Sequence, residues 1–189
     1  MWRIWGRYAA ALGAIAVVLW FPVVRGDRVP LLWAADLGFH ELGHMAAIPL
    51  GQAAHFLAGS ATQVLVPLGL AAYFFVRQRH HIATGLMLAW AAAAAFDAAV
   101  YIRDAPFQRL PLIGGHHDWA FLLGRWDALH QADTISRAVR LGGLIIGLAG
   151  ILICASPLYD GRRRQLRARR RLAGADHLPV REIRWRGRR

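Results

Sequence analysis

The sequence predicts an all-α, polytopic transmembrane helix bundle of about five spans with an amphipathic helix lying on its outer face. Three observations carry that expectation. Of 189 residues, 57% are hydrophobic and 18% charged, with mean hydropathy +0.33, too apolar for disorder and too poor in charge for an ordinary soluble domain. The apolar residues gather into stretches near the ~20 residues that a helix needs to cross a hydrocarbon core of ~30 Å. The basic excess, 23 basic against 11 acidic residues, is all arginine and concentrates in residues 161–189, so the charge belongs to a tail rather than to the fold. A membrane domain over residues 1–159 and an arginine-rich tail over 160–189, disordered or resting on a membrane surface, follow from that shift.

The expected spans are residues 8–24, 30–51, 58–76, 82–102 and 141–159. The first follows a short basic start, Arg3 and Arg7, as a signal peptide would. Its end at Val23-Val24-Arg25 has no small-residue cleavage pattern, so it reads as an uncleaved anchor. Pro67 falls mid-span and predicts a kink in the third helix. Gly143 and Gly147 form a GxxxG in the fifth, which serves either helix packing or a homo-oligomer contact. Residues 119–129 are too short to span and read as the surface helix, with Asp118 as its N-cap. The arginine-dense tail favours a cytoplasmic C-terminus. Alternation then puts the turns at 25–28 and 77–81 inside, those at 52–59 and 103–140 outside, and Arg3 and Arg7 outside as well, against the usual charge bias.

The second span contains His40-Glu41-Leu42-Gly43-His44, an HExxH sequence. Helical residues four apart stack on one face, so both imidazoles can reach one zinc ion while Glu41 lies beside them to act on water. Histidines that merely pack between helices are the bland alternative, but ionisable groups cost roughly 2.5–3.5 kcal/mol at mid-membrane and persist where they work or pair.

Catalytic zinc commonly has three protein ligands and one open position. Cys154 sits inside an apolar run, and glutamate occurs only at Glu41 and Glu182, so the third ligand is expected to be Asp or His. Asp97 is one candidate: a rise of ~1.5 Å per residue puts it level with His44, and it stands among alanines. Its alternative role is pairing with an arginine. His117 is the other, carried by Gly114-Gly115-His116-His117-Asp118-Trp119 in a loop that can fold back between helices, with Asp104, His116 and Asp118 also within that choice. Asp36, one turn before His40, is placed either to fix that imidazole's tautomer or to sit near the interface. Gln63 in the third span is placed to hold unwound substrate backbone or to bridge helices.

His40–His44 in a membrane helix, Gly59-Ser60, Gln63 and Pro67 in the next, Asp97 with Tyr101-Ile102-Arg103-Asp104-Ala105, and the block from Leu110 to Trp119 together resemble a group of small bacterial membrane proteins related to the site-2 protease (M50-type) zinc metalloproteases. The similarity covers residues 34–133. It implies zinc bound by His40, His44 and an aspartate of a later membrane helix, here Asp97, with Glu41 as catalytic base. The family's Asn-Pro-Asp-Gly or Leu-Asp-Gly element is replaced by Phe96-Asp97-Ala98.

The expected activity is hydrolysis of peptide bonds in membrane-embedded or membrane-adjacent substrates by an integral protein of the bacterial inner membrane. The alternative is a metal-binding membrane protein without hydrolysis: a carrier, sensor or scaffold. The tail is expected to meet anionic lipid headgroups, at ~1 kcal/mol per basic residue near the surface. Nucleic-acid binding is disfavoured because no aromatic platform or reading motif accompanies the charge.

Overall fold

A computed structural model describes the backbone of residues 2–112 and 115–175 and the side chains of residues 5–112 and 115–159. Among the described residues the protein is all-helical, with no strand. The chain divides into two units, Met1–Ala155 and Ser156–Arg189. The first contains α1 (Trp2–Trp20), α2 (Leu32–Ala47), α3 (Gln52–Val76), α4 (His81–Asp104), α5 (Asp118–Arg125) and most of the membrane part of α6 (Ala132–Ala175). In the second, the backbone expected to be tail stays helical to Ala175. The arginine side chains from residue 160 onward lie outside the described residues, as does Gly114 of the expected loop turn.

Four helical stretches are long and apolar enough to cross a membrane: Trp5–Arg25, Gln52–Val76, His81–Asp104 and Leu129–Tyr159. The expected second span differs. α2 has 16 residues, or ~24 Å at the rise of an α-helix, short of the ~30 Å core. Its sequence stretch looked longer because residues 30–51 include a turn at each end. Pro49 brings no N–H to continue the helix, and Gly51 takes a left-handed backbone (φ 90°) that turns the chain into α3. α3 itself runs unbroken through Pro67.

α4 is the central helix. Ala89, Ala91, Ala92, Ala94 and Ala99 have no exposed surface, and such small side chains let neighbouring helices approach closely. α6 meets it where Gly150 and Gly85 face each other, an added Cβ on either standing within 3.0 Å of the other's carbonyl oxygen. Gly143 and Gly147, expected as a packing or self-association motif, receive Phe96 and Leu19 of the same chain.

Helix directions follow from these contacts. Ala11 and Ile15 of α1 pack with Ala89, and Leu19 meets Ala92 near Gly147, so α1 runs parallel to α4. Asp36 of α2 bonds Trp90 and His40 approaches Tyr101, so α2 also runs with α4. Two consecutive parallel helices need a returning link, and residues 26–31 provide it. Gly26 (φ 71°) ends the π-helical turn Phe21–Arg25, and Arg28 reaches Asp97. The turn at 25–28 therefore lies at the α4 end that carries Asp104, opposite the turn at 77–81. This corrects the expectation that the two share a side, and its cause is that the second apolar stretch does not run the length of the bundle.

Candidate metal centre

His40 and His44 stand one turn apart on α2 against the first two turns of α3. The close approach of the two helices is set by Gly43, where an added Cβ would overlap the Ala58 carbonyl. Each imidazole is held from its Nδ1 side. His40 Nδ1 lies 3.0 Å from Gln63 Oε1 and His44 Nδ1 lies 2.7 Å from the His55 carbonyl oxygen. The Gln63 amide orientation is fixed independently, because its Nε2 donates to the Ala94 carbonyl at 3.1 Å and a carbonyl can only accept. Both Nδ1 atoms thus face acceptors and carry a proton, so in the neutral imidazoles both Nε2 atoms offer a lone pair.

Those lone pairs converge on one carboxylate. Asp118 Oδ2 lies 2.9 Å from His40 Nε2 and 3.2 Å from His44 Nε2. Such an approach is stabilised by a positive charge among these atoms, whether a proton on an imidazole Nε2, as the 2.9 Å hydrogen-bond distance from His40 allows, or a metal ion. The spacing also suits a metal: with metal–ligand bonds of ~2.05 Å, ligand atoms of a tetrahedral site stand about 3.3 Å apart. Space is kept open at Gly59, where a Cβ would come 2.6 Å from both Nε2 atoms. His40, His44 and Asp118 can therefore hold a metal ion.

Asp118 arrives from outside the long helices. It is the first residue of α5, and its N–H donates to the Tyr101 hydroxyl at 3.0 Å. α5 is fastened to α3 by the Trp119 indole N–H donating to Ser60 Oγ at 2.9 Å and by the tilted contact of Phe56 with Phe121. The expectation that Asp118 caps a helix over residues 119–129 is corrected. His117 is the N-cap, its Nδ1 accepting from the Ala120 N–H at 3.2 Å, and the helix is Asp118–Arg125.

The same capping takes His117 away from the metal group. Its ring stacks on Tyr101 with centroids 4.2 Å apart, and its Nε2 lies 3.5 Å from Asp104 Oδ2 without hydrogen-bond geometry. Burial pushes the His117 imidazole below its ordinary value, with Asp104 and Asp118 opposing, which suits an Nδ1 that accepts. Asp97, the other expected third ligand, is instead engaged by Arg28, whose Nε donates to Oδ1 at 2.6 Å. Asp36 accepts from the Trp90 indole N–H at 2.7 Å rather than from His40, whose Nδ1 is already held by Gln63. Gln63 joins α2 to α4.

Glu41 is half-buried and makes no hydrogen bond or ion pair among the described residues. It shares with His40, His44 and Asp118 a cavity of about 650 Å³, whose wall also includes His55 and Tyr101. His55, Gly59 and Tyr101 were not singled out as site residues from the sequence. His55 binds His44 reciprocally, its own Nδ1–H donating to the His44 carbonyl at 2.9 Å. Such side-chain-to-backbone pairing leaves no spacing signature. In comparisons with known proteins, no family model, no curated protein and no solved structure matches this chain.

Proposed function

We propose that the protein is an intramembrane zinc metallopeptidase that hydrolyses peptide bonds of membrane-embedded or membrane-adjacent substrates. The observation that carries this reading is the convergence of two imidazole lone pairs and a carboxylate beside an unengaged glutamate in one cavity. His40, His44 and Asp118 would hold a divalent ion, which would supply the Lewis acidity that makes water acidic near neutral pH and a carbonyl electrophilic. Glu41 removes the proton of the attacking water and delivers it to the leaving nitrogen as the C–N bond breaks. Gln63 and the His55 carbonyl keep the imidazoles in the tautomer that offers Nε2 inward. A regular helix hides its carbonyls, so a substrate segment unwinds to present one, and the polar cavity wall receives its freed backbone groups. The protein resides in the bacterial inner membrane with a cytoplasmic C-terminus, where the arginine tail meets anionic lipid headgroups.

The test is Glu41→Gln in membranes also carrying the wild-type protein's neighbours. Zinc content stays at the wild-type level, while new protein N-termini produced by the wild type fall at least about 100-fold, the scale of losing a general base. Wild-type and Glu41→Gln membranes with identical N-termini, both proteins holding zinc, would replace the peptidase by the non-hydrolytic metal binder.

A further inference from the structure

We propose that Tyr101 is a positioning residue that sets the metal affinity of the centre by holding Asp118 in place. This rests on the reading of His40, His44 and Asp118 as ligands. Two of those ligands come from a helix packed along α3, whereas Asp118 enters on an eight-residue helix. Its position is therefore the degree of freedom on which a shared ion depends, and metal sites tolerate only ~0.2 Å of ligand displacement.

Tyr101 touches each part that must be aligned. Its hydroxyl accepts the Asp118 N–H at 3.0 Å, which fixes the backbone of the ligand itself. Its ring stacks on His117 at 4.2 Å and 23°, which holds the cap that starts α5. His40 also meets the ring, with centroids 6.1 Å apart and planes inclined at 62°. Behind this wedge, Asp104 stands beside His117 Nε2 and accepts the N–H groups of Arg109 and Leu110, both at 2.9 Å, anchoring the loop that leads to α5. Tyr101 is on α4, three residues from Asp104, so one helix terminus supports both the incoming loop and the ligand.

Removing only the hydroxyl isolates the effect. Tyr101→Phe keeps the stacked ring and frees the Asp118 amide. Zinc affinity, measured by competition with a chelator, should fall about 10- to 100-fold, the usual consequence of losing a group that orients a ligand. The unfolding temperature of the metal-free protein should fall by only a few degrees, the scale of one lost hydrogen bond, and the visible spectrum of the cobalt-loaded variant should shift as the carboxylate geometry changes. A double-mutant cycle separates action through Asp118 from a diffuse packing effect. Run with Cu²⁺, whose tighter binding to imidazoles keeps weakened variants measurable, Tyr101→Phe should add nothing to Asp118→Ala. Wild-type zinc affinity in Tyr101→Phe, or an equal loss with and without Asp118, overturns the proposal and leaves the metal centre standing. Wild-type protein that takes up no metal overturns both.

Discussion

Gly59→Ala separates the metal centre from the helix contact that surrounds it. The added methyl carbon would stand 2.6 Å from His40 Nε2 and from His44 Nε2, and 2.7 Å from His44 Cε1. Ordinary contact begins near 3.4 Å, so each ring must retreat by about 0.8 Å. That is several times the ~0.2 Å that a metal–ligand distance tolerates. The rings lie at the ends of side chains that rotate, so the fold can absorb the methyl there, and alanine is better than glycine within a helix by ~1 kcal/mol. The expected result is a variant that unfolds no earlier than wild type when metal-free, while its zinc content after dialysis falls from roughly one ion per chain to a small fraction of that. Gly43→Ala gives the contrasting outcome, because its methyl would meet the Ala58 carbonyl oxygen and, at 2.5 Å, Thr62 Oγ1. Backbone cannot rotate aside, α2 and α3 must part, and a loss of about 1–3 kcal/mol is expected together with the metal. Metal analysis beside thermal unfolding in detergent reads both. Gly59→Ala binding zinc with wild-type affinity would refute the convergence of the two Nε2 atoms on an ion at this face of α3.

Asp97→Ala should retain zinc and lose less than about 1 kcal/mol, since the half-exposed Arg28 guanidinium it pairs with gains little from a partly solvated bridge. Asp118→Ala should lose the metal, and the reverse ranking of these two variants in metal analysis would sink the ligand assignment. Trp119→Phe keeps the ring but removes the 2.9 Å bond to buried Ser60. A cost of ~1 kcal/mol should appear as faster amide exchange confined to residues 118–125, and unchanged exchange would mean that this bond does not fasten α5. With Cys154 replaced by alanine, cysteines introduced at Asp27 and Arg109 should react with an impermeant thiol reagent from one face of the membrane and one at Gln78 from the other. Labelling of positions 27 and 78 from the same face would contradict the parallel course of α1 and α2.

The helices were legible because burial in a bilayer requires only composition and length, and both are written along the chain. The HExxH pair was legible because its geometry is local: four residues on a helix place two rings together whatever surrounds them. Orientation about the helix axis was not. The expected match in depth between Asp97 and His44 counted both helices from one shared side, whereas the turns that precede them lie at opposite ends, and a rise per residue says nothing about the direction in which a side chain leaves its helix: Asp97 leaves toward Arg28. Asp36 illustrates the same limit at closer range. It shares a face with His40, yet Trp90 takes its carboxylate and Gln63, from another helix, takes the imidazole. Asp118 was within the set of residues considered, and a loop folding back between helices was the route by which it arrived. Choosing it over its neighbour His117 depended on which residue capped α5, a difference of one position that tertiary contacts with Tyr101 and Ser60 decide.

The shortness of α2 also resolves a conflict within the sequence. A five-span alternation sets Arg7 on the opposite side from Arg77 and Arg79. The course of α1 beside α4 sets Arg7, at the start of the candidate span Trp5–Arg25, at the same end of the bundle as Arg77 and Arg79, as charge bias in membrane proteins favours. The arginines at the other end are largely matched by aspartates: Arg25 with Asp27, Arg28 with Asp97, and Arg103 and Arg137 with Asp133. That end is also where Asp118 reaches the histidines. The 16-residue α2 sets His40 and His44 against α3, in a cavity that Arg28 of the linker and Asp118 of α5 also line. Gly26, Asp27, Arg28 and Val29 of the linker line a cavity beside Asp36 and Asp97, and Arg28 also lines the cavity of the metal group. The short α2, turned sharply into α3 at Gly51, is thus the element that brings two histidines and a glutamate to the cavity into which the carboxylate of Asp118 enters.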